Sequence, residues 1–299
     1  LYGDGQYLTN VGGASTDAWA QDTQANLVAG TGAGAARDAD TCWNVMIGCN
    51  AGNDLNSGDN NVFIGCRAGE TATSGNQNIA IGPNSLGEGN ATGDDNVLLG
   101  RYTGGSLTSG AGNIVLGRNS GYNLTTTSYN FIGGYNAGDR VRGSSNIILG
   151  NLAGRGSATP ADNTASHNFI GGYKAGEDIT TGGGNFFIGS NAGANVNSGT
   201  YNIAFGHLAY MNATTASHNI IMGHCAGQKC AVTGGYNIGF GKHVLNRVTT
   251  GNNNIAIGCV ASSGEIITGE DNITIGSQTG LSLTSGSYNI FLGCAAGSG

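Results

Sequence analysis

The sequence predicts an all-β chain: a parallel β-solenoid, or β-roll, of about 15 coils with a repeat near 17 residues, associating side by side as a homotrimer. Three observations carry this. An asparagine recurs from Asn44 to Asn289, and nine of the fourteen intervals are 17 residues long. Each asparagine is followed by an apolar triplet, and each triplet by glycine. A fixed period this short makes each repeat one coil, which cannot bury its apolar side alone.

The elements follow in order. With the asparagine as position 1, position 2 is apolar throughout (Val45, Val62, Ile79 and onward to Ile290). Position 4 is Ile, Leu, Phe or Met except at Gly133 and Gly171. The β-branched content favours a strand. Alternate strand residues share a face, so positions 2 and 4 are expected to line the interior. Position 8 is mostly small (Ala51, Ala68, Ser85), which suits a narrow core.

Position 3 then points outward, yet it is apolar except at Gly239 and Thr274. A strand apolar on both faces is buried on both. The expected inter-chain stripe is Met46, Phe63, Leu98, Val115, Ile132, Ile148, Ile170, Phe187, Ile221 and Phe291. A stripe that long needs cover, and identical stripes pack well about a three-fold axis. The glycine at position 5 and Ser/Thr–Gly pairs such as Ser57-Gly58 and Thr250-Gly251 mark corners, where glycine accepts positive φ. The asparagines are expected to stack as a structural amide ladder.

Two domains are expected: residues 1–43 as cap and connector, with Trp43 plugging the core, and residues 44–299 as the solenoid. The 22-residue interval after Asn146 contains Arg155–Asp162 with Pro160, a bulging loop that is either a binding face or a tolerated insertion. The chain starts at Leu1 and stops inside a repeat, so a longer parent protein is expected.

Composition narrows the function. The 57 glycines lack a three-residue period, which excludes collagen. A net charge of −7 without a basic run argues against nucleic acid as partner. No apolar run reaches the ~18 residues of a membrane span. The seven cysteines include no Cys-x-x-Cys pair and read as small buried or half-buried thiols.

Two resemblances appear at particular residues. Asn78-Ile-Ala-Ile-Gly82 and Asn254-Ile-Ala-Ile-Gly258 resemble the head repeats of trimeric autotransporter adhesins (YadA-like heads). That resemblance implies a left-handed parallel β-roll with three chains side by side. Gly3-Asp-Gly-Gln-Tyr-Leu-Thr-Asn10 is similar to a phrase frequent in bacteriophage tail fibres. Together they imply a structural fibre or spike segment of a virion that mediates host-surface attachment. Its partners would be its own copies, other virion or fibre proteins, and a host glycan or receptor. A bacterial cell-surface adhesin head or extracellular filament is the alternative.

Candidate sites are few. Aromatic residues or histidine precede the asparagine at Tyr129, His167, Tyr201, His218, Tyr236 and Tyr288; they either stack on sugar rings or shield a turn. His207 and His224 share position 6, as do Arg101 and Arg118, and would form metal- or anion-binding rings only on a three-fold axis. Asp54, Glu70, Glu88, Asp139, Glu177 and Asp178 read as solvated turn acids rather than a glycosidase pair. Broken threonine ranks argue against ice binding. No catalytic, cofactor or metal residue is assigned, and no enzyme is expected.

Overall fold

The computed structural model describes residues 22–159, 162–229, 232–264 and 266–298. The chain divides into two compact units, Leu1–Asp139 and Arg140–Gly299. Each is a parallel β-solenoid with one three-residue strand per coil.

The first unit carries β1 (Leu27–Ala29), β2 (Val45–Ile47), β3 (Val62–Ile64), β4 (Ile79–Ile81), β5 (Val97–Leu99), β6 (Ile114–Leu116) and β7 (Phe131–Gly133). The second carries β8 (Ile147–Leu149), β9 (Phe169–Gly171), β10 (Phe186–Ile188), β11 (Ile203–Phe205), β12 (Ile220–Met222), β13 (Ile238–Phe240), β14 (Ile255–Ile257), β15 (Ile273–Ile275) and β16 (Ile290–Leu292). Within each unit, consecutive strands pair parallel and position for position, as in Val45↔Val62 and Phe186↔Ile203. The remainder of each coil is turns, joined to the next coil by bonds such as Gly52 N–H to Ala68 O and Asp54 N–H to Glu70 O.

The solenoid begins one coil earlier than the sequence suggested. Asn26 is buried, and its Oδ1 accepts from the backbone N and Nδ2 of Asn44 at 2.8 and 3.0 Å. The stretch read as connector is therefore partly a coil. Trp43 does not plug the core: it is 61% exposed on a turn. The fibre-like phrase at Gly3–Asn10 lies outside the described residues, as does Pro160 of the inserted loop.

The facing of the strand is reversed from expectation. The middle residue is buried in every strand from β2 to β15, and its two neighbours are half-buried or exposed. Met46, Phe63, Leu98, Val115, Ile132, Ile148, Ile170, Phe187 and Ile221 lie inside the coils, so they are no inter-chain stripe. Phe291, on the final strand, is half-buried. The reason is the ladder. Asn61 Nδ2 donates to Asn44 Oδ1 and to the Gly75 carbonyl of its own coil, at 3.0 and 2.9 Å. Both partners lie inside, so the asparagine faces inward, and position 3 shares its face.

The interior has three apolar columns. Position 3 meets the small position 8, as expected, and a third column at position 12 (Leu55, Leu107, Leu124, Ile179, Val196) that the sequence reading missed. Volume is balanced inside each coil. Four coils have Ala or Gly at position 3: Ala80, Ala204, Gly239 and Ala256. In those coils position 9 is Leu86, Tyr210, Leu245 and Ser262; in every other coil it is glycine. Position 9 takes the left-handed conformation in both cases (φ 60° at Gly69, 55° at Tyr210). A Cβ on Gly69 would sit 2.7 Å from the Phe63 ring. A filled strand position thus demands an empty turn position, and the converse.

Glycine does two jobs at the corners. Gly48 at position 5 has φ 134°, and a Cβ there would lie 2.5 Å from the Gly65 carbonyl of the next coil. In the Ser/Thr–Gly pairs the constraint differs from expectation. Gly75 and Gly251 do not take positive φ; a Cβ there would press 2.5 Å from the Gly93 and Gly269 carbonyls. Close backbone approach, rather than handedness, selects glycine at these corners.

Candidate functional site

Three groups of polar and aromatic side chains stand on the turns outside the core. The first is an aromatic ladder. The residue before each asparagine is left-handed, including Trp43, Tyr129, His167, Tyr201, His218, Tyr236 and Tyr288. Asn60, Gly112 and Asn253 suit that conformation; a bulky aromatic adopts it only at a cost. The aromatic side chains at these positions are exposed. Tyr201, His218 and Tyr236 come together on successive coils: ring centroids are 5.3 Å apart between the first two and 4.8 Å between the last two, the latter 10° from parallel. The Tyr201 ring lies over Gly184, where a Cβ would be 2.6 Å away. Tyr129, His167 and Tyr288 do not join this stack.

The second group, in the first unit, is a cleft of about 330 Å³ lined by Glu88, Tyr102, Asn119, Tyr122 and Asp139. Tyr102 and Tyr122 meet edge to face with centroids 6.3 Å apart. The Arg101 guanidinium covers Tyr102 at 4.9 Å. The Tyr122 hydroxyl donates to the Glu88 carboxylate, and that bond, helped by burial, pushes the phenol up to about 12. Glu88 and Asp139 are therefore the turn acids that structure brings to one site. Glu70 instead pairs with Arg67 at 2.5 Å, and Glu177 with Lys174 at 3.2 Å and Arg155 at 3.7 Å. Burial and the adjacent Glu177 push the Asp178 carboxyl up. Asp54 is exposed on its turn.

Sequence reasoning missed Tyr102, Asn119 and Tyr122, because the cleft draws on several different repeat positions. A signal was present: Glu88 and Tyr122 are 34 residues apart, two periods. Gly105 makes room, since a Cβ there would meet the Tyr122 ring at 2.7 Å. Amphipathic rings, an amide and carboxylates in one concave patch can stack on a sugar face and bond its hydroxyls.

The third group is His207, His224 and Cys225 of the second unit. The two imidazoles stack at 5.2 Å, and Cys225 Sγ lies 3.9 Å from His224 Nε2. Burial pushes the Cys225 thiol up, against the pull of Lys242 and Lys229. The other thiols are less enclosed than expected: Cys49, Cys66, Cys259 and Cys294 are exposed. Arg101 and Arg118 instead lie near the Tyr102 and Tyr135 rings.

No known protein-family profile matches this chain, and no curated protein is significantly similar to it. The likeness to autotransporter heads therefore rests on the repeat phrase alone. Among the described residues, no helix is long and apolar enough to cross a membrane.

Proposed function

We propose that this chain is a trimeric fibre or spike segment of a virion, of phage tail-fibre type, that contacts the host surface through the outer turns. The observation that supports this reading is the apolar surface left after each coil has filled its own interior. Positions 2 and 4 form two outward columns, among them Ile81, Leu99, Phe131, Phe186, Phe205 and Phe240, each between 37% and 48% exposed. Repeated at about 4.8 Å per coil, such columns form a stripe too extensive to leave in water. A second and third copy present the same period and chemistry. The inter-chain face thus moves to the outward columns and away from position 3.

In this reading the chain binds and does not turn over substrate. Aromatic ladder and cleft would contact host glycans weakly, and three copies would add by avidity. The fibre-like phrase at Gly3–Asn10 favours a virion over a bacterial surface adhesin or extracellular filament. Light scattering of the native chain tests the assembly. The expected mass is three times 29.9 kDa, falling to one chain in a Leu99→Lys/Phe205→Lys variant that keeps its circular dichroism. A native monomer would overturn the trimer. Oligosaccharide binding that survives both Tyr236→Ala and Tyr102→Ala would overturn the assignment of contact sites.

A further inference from the structure

We propose that His207, His224 and Cys225 form a binding site for a thiophilic transition-metal ion, with zinc(II) the representative and water in the remaining coordination position. The donor atoms of the three residues all lie within 4.8 Å of one another. Tetrahedral zinc with bonds of about 2.0–2.3 Å places its ligands roughly 3.4–3.8 Å apart. The Cys225 Sγ to His224 Nε2 separation, 3.9 Å, is already close to this. Closing the remainder requires only rotation of exposed imidazoles.

The scaffold explains why the three meet. His207 and His224 hold position 6 on adjacent coils, so the coil spacing itself sets their separation. Cys225 follows in the left-handed conformation, φ 54°, and is buried, which anchors the sulfur while both histidines reach solvent. His243, on the next coil, packs edge-on against His224 with centroids 5.8 Å apart and restricts its rotation. One buried thiol and two exposed imidazoles make a one-sided site that an ion enters from solvent, with the fourth position open.

The donor set decides the class of ion. Imidazole and thiolate suit zinc(II), cobalt(II) and copper(I), whereas magnesium and calcium need oxygen ligands. Lys229 and Lys242 lie close enough to act on Cys225, and their charge opposes any cation that gains no strong bond from sulfur. When the metal–sulfur bond forms, the thiol proton leaves to solvent. The site needs no three-fold axis and stands apart from the proposed oligomer.

Titration of cobalt(II) into the full-length chain tests this. One equivalent should raise ligand-field and thiolate-to-cobalt absorption, and zinc(II) should displace it while magnesium does not. Cys225→Ala should abolish the charge-transfer band, and His207→Ala/His224→Ala should weaken binding by about tenfold or more. Cys259→Ala, altering an exposed thiol elsewhere in the position 6 column, should change nothing. A missing band in the native chain, or a band that survives Cys225→Ala, overturns the proposal. Crystals of the native chain soaked in zinc(II) give a readout independent of any variant: an anomalous peak among the three side chains is expected, and its absence refutes the site.

Discussion

Two neighbouring coils of the second unit fill the same interior in opposite ways. The coil of β10 places Phe187 on its strand and Gly193 on its turn. A Cβ at Gly193 would lie 2.7 Å from the Phe187 ring. The coil of β11 places Ala204 on its strand and Tyr210 on its turn, and the tyrosine is 1% exposed. The backbone is the same, with left-handed turns at φ 59° and 55°. What the solenoid conserves is therefore filled volume per coil rather than a residue at a position, as close-packed interiors require.

The largest effects should come from emptying either coil. Phe187→Ala should cost about 3–5 kcal/mol by leaving a cavity, and Tyr210→Gly a similar amount. Urea unfolding read together with amide hydrogen exchange checks this, because a repeat stack need not unfold as one unit. If Tyr210→Gly costs almost nothing, the turn does not fill the core.

Overfilling comes next. Gly193→Leu alone should cost about 1–3 kcal/mol, since the Phe187 ring has nowhere to go. The double variant Phe187→Ala/Gly193→Leu copies the native pair Ala80 and Leu86. It should recover at least half of the loss predicted by summing the single variants, a coupling of about 1–3 kcal/mol. Simple additivity would refute compensation within a coil.

Smaller still is Tyr210→Phe, which keeps the ring and removes one hydroxyl. That hydroxyl accepts a 2.6 Å bond from Asn219 Nδ2, which also donates to Asn202 Oδ1 and to the Ser217 and Gly234 carbonyls. The expected loss is about 1 kcal/mol in the same unfolding measurement.

The mildest contrast sets the interior Tyr210 against the outer Tyr122. Burial pushes the Tyr210 phenol well up, whereas Tyr122 is pushed up to about 12 chiefly by its bond to Glu88. In the unfolded chain a tyrosine titrates near 10. The stability that Tyr122 supplies as neutral phenol is therefore complete below about pH 10 and lost as pH rises to about 12. The absorbance difference between native chain and Tyr122→Phe should titrate near 12; titration near 10 would mean the Glu88 bond does not persist in solution.

The repeat, the strand, the amide ladder and the small position 8 were legible in the sequence because each recurs at one fixed place. The facing was not. Positions 2, 3 and 4 are all apolar, so the two-residue alternation that separates inside from outside is silent. The asparagine held the answer: a side chain that must bond within the coil turns position 3 inward with it. The turn filling was written in the exchange of Gly69 for Leu86 and Gly193 for Tyr210, visible only by reading two positions together. The cleft was hidden because Glu88, Tyr102, Asn119, Tyr122 and Asp139 share no single column, whereas His207 and His224 already shared one.

Compensation confined to a single coil has a consequence for how such a chain can change over evolution. When large residue and gap travel in the same stretch of about 17 residues, an in-frame duplication or excision of that stretch carries its own packing with it. Removing residues 185–201 would set Asn202 on Asn168 and ask no neighbour to repack. Length then becomes a heritable variable that recombination between near-identical gene segments can adjust in whole steps, independently of whatever the outer turns display.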